Sequence, residues 1–172
     1  MAEHNRHLRG DREEVLVDVK GSTVVEAGDL MFADRTAGVR GVGEDADYYA
    51  YPISYAANTG TPGTGIQYGI YTNFLGVAME SSPSGVTEKI SVARAGAYRY
   101  PLYRNGAVTV GALVSAVSTF TSGTGVSDQV VFMSNSAPGS TAYLGYIVKT
   151  ESGASFVDFE IRTAFGPGGL AS

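Results

Sequence analysis

The sequence states one short β unit twice. Phe74-Leu75-Gly76-Val77-Ala78 begins a strand, Ser82-Pro83-Ser84-Gly85 has turn composition, and residues 86–94 return. Tyr143-Leu144-Gly145-Tyr146-Ile147-Val148 begins a second strand, Ser152-Gly153 turns it, and residues 155–163 return. Each unit is an aromatic-Leu-Gly start followed by a hairpin, bounded by the Gly, Pro and Ser that punctuate strands. With no Cys, no Trp and two His in the chain, this pattern predicts a body that presents surfaces rather than reactive side chains.

The rest of the chain is also strand-like. Val15, Val17 and Val19 share one face, with Asp18 and Lys20 on the other, the period-two pattern of a half-buried strand. Gly21-Ser22 turns into residues 23–26, and Gly28-Asp29 turns into Leu30-Met31-Phe32. Tyr49, Tyr51, Ile53 and Tyr55 alternate with Ala50, Pro52 and Ser54. Because Pro52 cannot donate to a ladder, this segment reads as an edge strand or an irregular extended wall. Residues 107–118 are rich in Val and small side chains, and residues 129–133 form a short apolar strand. The clearest strand has Val157, Phe159 and Ile161 alternating with Asp158, Glu160 and Arg162. No window favours the helical period, so the expectation is at most one or two short helices in a mainly β protein of about ten short strands.

Residues 1–13 (MAEHNRHLRGDRE) hold one large aliphatic side chain after the first Met, Leu8. Such a stretch buries too little to offset the entropy of ordering it. It reads as an extended N-terminal arm, disordered alone or ordered by a partner. The domain division is then an arm at 1–13, a β-rich body at 14–165 with an insertion or elaborated loop at 40–73, and a flexible tail at 166–172.

At 172 residues the chain fits one domain with a sizeable core. Charged residues are 17% of it, below the usual ~25%, so much of the surface is Ser, Thr, Gly and Tyr. Twelve basic against 17 acidic residues, net −5, argues against a nucleic-acid partner held by phosphate neutralisation. The lack of Cys removes disulfides, thiolate zinc sites and cysteine nucleophiles. No apolar run approaches the ~18 residues of a membrane span, and the polar start does not read as a secretory signal. The expectation is a protein made or assembled in the cytoplasm, with no membrane partner.

Candidate chemistry is sparse. His4 and His7 lie in the arm and the body has no histidine, so a Ser-His-Asp arrangement lacks a held base, and nothing nearby completes a metal set for the pair. Glu44, Asp45 and Asp47 offer the oxygen ligands calcium prefers, but without EF-hand spacing a solvated loop is the expectation. The glycines at 38–43 and 60–65 lack the P-loop Lys-Ser/Thr and the G-x-G-x-x-G spacing. The reading is therefore no enzyme, no catalytic residue, no cofactor and no metal. The eleven tyrosines carry two open readings: interface rings with a hydroxyl for a partner, or half-buried strand residues. Tyr49, Tyr51, Tyr98 and Tyr100 are the interface candidates among them. Arg6, Arg9 and Arg12 recur every third residue beside Leu8. In an extended arm they could meet acidic residues of a partner bidentately, with simple solubilising charge the equal alternative.

Gly28-Asp29-Leu30, Leu75-Gly76-Val77-Ala78, residues 85–92 followed by Ala95-Gly96, Val110-Gly111-Ala112-Leu113-Val114 and Leu144-Gly145 together resemble the capsid cement, or head decoration, proteins of tailed bacteriophages. Order and spacing carry the resemblance, which spans residues 23–163 and gives no guidance over 40–73. It implies a compact β-barrel-like or tulip-type body, a homo-oligomer with a trimer favoured over a dimer, and a place on the outer surface of an expanded capsid in the virion. There it implies a clamp on neighbouring major capsid proteins, and it brings no catalytic residues. The alternative is a tail- or spike-associated β domain that binds a host receptor or glycan through the Tyr-rich region at 48–71.

Overall fold

The structure, a computed structural model, describes residues 7–9, 13–34, 49–52, 73–84, 86, 88–116, 128–134 and 143–163. Eleven strands and no helix occur among them. They are β1 (His7–Arg9), β2 (Glu14–Val19), β3 (Leu30–Asp34), β4 (Tyr49–Pro52), β5 (Phe74–Ala78) and β6 (Lys89–Ala93). Then follow β7 (Ala97–Val108), β8 (Leu113–Ala116), β9 (Val131–Ser134), β10 (Gly145–Ile147) and β11 (Glu151–Ile161). The mainly β, barrel-like expectation is borne out, in a form that alternation alone does not specify.

The first five-stranded barrel closes in the order β2-β4-β3-β5-β6, with β6 returning to β2. The second sheet runs β1-β7-β11-β10-β8-β9. A further parallel pairing, Leu102 with Val131, brings β9 back to β7 and closes a second ring. Strand for strand, β2 to β6 correspond to β7 to β11. The β2–β4 and β7–β9 pairs are parallel and the remaining ring pairs antiparallel.

The registers agree residue by residue. Val19 opposite Ala50 matches Leu102 opposite Val131, and Ala33 opposite Ala50 matches Ala116 opposite Val131. Met31 opposite Gly76 matches Val114 opposite Gly145, and Val77 opposite Ala93 matches Tyr146 opposite Glu160. Backbone bonds outside the ladders repeat too. The Gly28 N–H donates to Ala78 O at 2.7 Å and the Gly111 N–H to Ile147 O at 2.9 Å. The Ala78 N–H donates to Asp29 O, and the Ile147 N–H to Ala112 O, both at 2.9 Å. The fold is a tandem structural duplication, and Val25-Glu26-Ala27-Gly28-Asp29-Leu30 and Val108-Thr109-Val110-Gly111-Ala112-Leu113 are its two copies of one strand-to-turn-to-strand corner.

Both interiors are built from equivalent positions. Val17, Val19, Met31, Leu75 and Val92 fill the first barrel. Tyr100, Leu102, Val114, Leu144 and Phe159 take their places in the second. The larger rings there pack edge-on, with Tyr100 and Phe159 centroids 5.5 Å apart. Leu30, Phe32, Phe74 and Val77 point out of the first barrel and belong to the core cluster of the second. This is why β5 is buried at all its residues: one face lines its own barrel and the other meets the neighbouring one.

Two local features depart from the sequence reading for stated reasons. β4 is not an edge strand; it lies between β2 and β3. Its pairing with β2 ends at Tyr49 and Ala50, so the missing N–H of Pro52 interrupts no bond there, while Met31 lies opposite on the other side. The segment read as an arm contributes β1, with His7 opposite Tyr98 and Arg9 opposite Ala97. β2 runs antiparallel to β6, and β6 leads into β7 through residues 94–96, where the Arg94 N–H donates to Glu13 O at 2.6 Å. β1 thus lies along β7 as β2 lies along β6.

Candidate interaction surface

β7 and β11 supply the broadest strand pair, and period-two alternation divides their side chains cleanly. Tyr98, Tyr100 and Leu102 point inward with Val157 and Phe159. Arg99, Pro101 and Tyr103 point outward, with Phe156 opposite Pro101 and Asp158 opposite Arg99. Arg99 grips Asp158 with two parallel bonds, Nε to Oδ1 at 2.7 Å and Nη2 to Oδ2 at 2.9 Å. On a partly exposed face this pair is worth about 1 kcal/mol or less, but its fork holds the two strands in register. Beside it Tyr103 and Phe156 are exposed and Pro101 is half-buried between them, giving a small apolar row on the outer sheet.

The second constellation joins the barrels. Asp29 ends the corner before β3, where its Oδ2 accepts the Glu26 N–H at 2.8 Å. Its Oδ1 accepts from Gln129 Nε2 at 2.8 Å, across the junction. The Leu30 N–H donates to Asp128 O at 2.9 Å, and the buried Tyr100 hydroxyl donates to Gly28 O at 2.6 Å. Burial pushes the Asp29 carboxyl up to about 6, with Asp128 and Glu26 adding to the rise, against the lowering by its two hydrogen bonds. Burial also holds the Tyr100 phenol well above its usual value.

The sign for stability follows. Because the folded value, about 6, exceeds the ordinary 3.8, the fold takes up a proton between them. The stabilisation from Asp29 is full below the lower value and lost as pH rises through the higher. Asp29→Asn should therefore flatten this part of the pH dependence, read as the difference between variant and parent urea midpoints across that window.

Among the sequence-derived candidates, Tyr98 and Tyr100 are corrected. Both rings are buried in the barrel interior, on the inward parity of β7, and are closed to any partner. Tyr51 is half-buried against Phe32, centroids 6.5 Å apart, and Tyr49 is exposed at the start of β4. Leu8 and Arg9 lie on β1, while Arg6 and Arg12 lie outside the described residues, as do the acidic cluster at 44–47, both glycine clusters and most of the 48–71 region. Among the described residues no three His, Asp or Glu come together as metal ligands. Sequence reasoning missed Tyr103, Phe132, Tyr146 and Phe156, each exposed. The alternation of Phe156 against Val157 was the signal that could have found one of them.

Fold and surface together define the class: an internally duplicated, all-β two-barrel protein with apolar rows on its outer sheets. No protein-family model matches the sequence, and no curated protein is similar to it. A solved structure similar to this chain is the crystal structure of the head fiber gp8.5 N base in bacteriophage phi29, at 13% identity and a TM-score of 0.46, covering 87% of this chain and 94% of that one. A likeness at that level decides neither fold nor function.

Proposed function

We propose that the chain is a decoration protein of a tailed-phage capsid, binding the outer surface of the expanded shell and clamping neighbouring major capsid subunits. The observation that carries this reading is where the residues of the family resemblance fall. Gly28-Asp29-Leu30 and Gly111-Ala112-Leu113 form the two equivalent corners, and Leu75-Gly76 and Leu144-Gly145 the two equivalent close strand crossings. The shared residues are thus the ones that close the two-barrel body. The outer face of β7 and β11, with Tyr103 and Phe156 and β1 on the adjoining edge, is the docking face in this reading. A net charge of −5 suits a place outside a shell rather than against its genome.

The work of such a protein is additive burial rather than chemistry, so the reading assigns it no catalytic group, cofactor or metal. Residues of the arm that order on a partner cost about 1–2 kcal/mol each. Several copies joined in one oligomer offset this cost through effective concentration.

The test is co-sedimentation with expanded capsids stripped of decoration, scored by occupancy and capsid melting temperature. Saturable binding with a raised capsid melting temperature is expected, lost on Tyr103→Asp with Phe156→Asp and on deletion of residues 1–13. Failure to bind shells, with binding to host cells or glycans instead, would overturn it in favour of a receptor-binding domain.

A further inference from the structure

The duplication supplies a ruler for judging which surfaces are incomplete. In the first barrel the outward residues Leu30, Phe32, Phe74 and Val77 are fully buried because the second barrel covers them. The covering barrel is clasped at its Asp128-Gln129 segment, just before β9. By register, the same outward positions in the second barrel are Leu113, Ser115, Tyr143 and Tyr146, with Phe132 at the position of Tyr51. There the face is open only in part: Phe132 is 42% and Tyr146 37% exposed, Leu113 and Tyr143 are half-buried, and Ser115 is buried.

The complementary end can be located in the same way. Asp128 and Gln129 correspond to positions 47 and 48, outside the described residues; the next position, Val130, corresponds to Tyr49, since Ala50 corresponds to Val131. Tyr49 is 41% exposed. One molecule thus carries a partly uncovered copy of the receiving face at one end and an exposed aromatic beside the covering position of the other.

We propose that Leu113, Phe132 and Tyr146 form a self-association face that receives the Tyr49 end of a second copy, repeating between molecules the contact that joins the barrels within one. A second copy is the occupant because the cover found on this face in the first barrel is a barrel of this same topology, and each chain carries another. The contact is head-to-tail, which closes into a ring or extends according to its rotation. It names the surfaces for the self-association in the function proposed above, and stands on the duplication whether or not the chain binds a shell.

Sedimentation equilibrium of the full chain without shells tests it. The parent protein is expected to assemble. Phe132→Asp and Tyr49→Asp should each weaken association by about 30-fold or more, the scale of a central aromatic contact. Both positions are exposed, and circular dichroism confirms that each variant folds. An equimolar mixture of the two variants retains one intact contact and should form dimers and nothing larger. A parent protein that stays monomeric, a Phe132→Asp variant that assembles like the parent, or a mixture that stays monomeric would each overturn the proposal. A monomeric parent whose shell binding is lost on Phe132→Asp would overturn it too, and would move this face to the shell protein.

Discussion

Gly145→Ala is expected to leave little or no folded protein. A Cβ at this position would lie 2.0 Å from the Glu160 carbonyl oxygen and 2.9 Å from its carbon, both backbone atoms of the paired strand. No rotamer change relieves such an overlap; β10 and β11 have to part by more than an ångström, with the loss of the ladder that seals the second barrel. The cost should exceed about 4 kcal/mol, the range reserved for a few severe mechanisms and a large share of the ~5–15 kcal/mol that holds a domain together. Gly76→Ala should behave alike, since its Cβ would lie 2.0 Å from the Ala93 carbonyl oxygen, and its φ of +147° adds backbone strain. Gly106→Ala is the control: the nearest atom is the flexible end of Met133 at 3.3 Å, and its cost should stay within about 1 kcal/mol. Soluble yield and urea unfolding read all three, and a well-folded Gly145→Ala protein would show that the barrel closure is drawn wrongly.

Phe74→Ala should cost about 3–5 kcal/mol, the usual loss for a buried Phe. The ring is fully buried and sits 5.5 Å from Phe32, on the outward face of β5 that meets the second barrel. A cavity there lies between the barrels rather than inside either, where the Asp29–Gln129 and Tyr100–Gly28 bonds also join them. Because the outward face of the first barrel belongs to the core cluster of the second, unfolding should remain a single transition, shifted to lower urea with an unchanged slope. Two separated transitions would mean that the barrels are independent units, and that this face is a loose contact.

The inter-barrel face also bears on the proposed association. If Phe74 contributes several kcal/mol within the chain, an equivalent face built from Leu113, Phe132 and Tyr146 has the same geometry to offer a second molecule. It has more polar side chains, with Tyr146 at the position of Val77 and Ser115 at that of Phe32, consistent with a reversible contact rather than a permanent one.

Alternation along the chain was enough to show that β2 and β11 are strands, and which of their residues share a face, because period-two patterning follows from backbone geometry alone. The aromatic-Leu-Gly starts at Phe74 and Tyr143 likewise marked two equivalent hairpins, since only glycine permits the close strand crossings at Gly76 and Gly145. Alternation does not say which of two faces turns inward when both carry Tyr. Tyr98 and Tyr100 are as suited to a surface as Tyr103, and only barrel closure puts the first two inside. β7 itself was hidden by Pro101, which sits where the edge opposite β11 is unpaired, between Tyr98 against β1 and Leu102 against β9. The full duplication was hidden because barrel interiors accept different volumes at matched positions, Val17 against Tyr100 and Val92 against Phe159, provided the neighbours repack. Local sequence therefore determined most of the strands and two tight crossings; which faces turn inward, how the rings close and which copy of a surface is left partly uncovered are properties of non-local pairing, decided only in the tertiary structure.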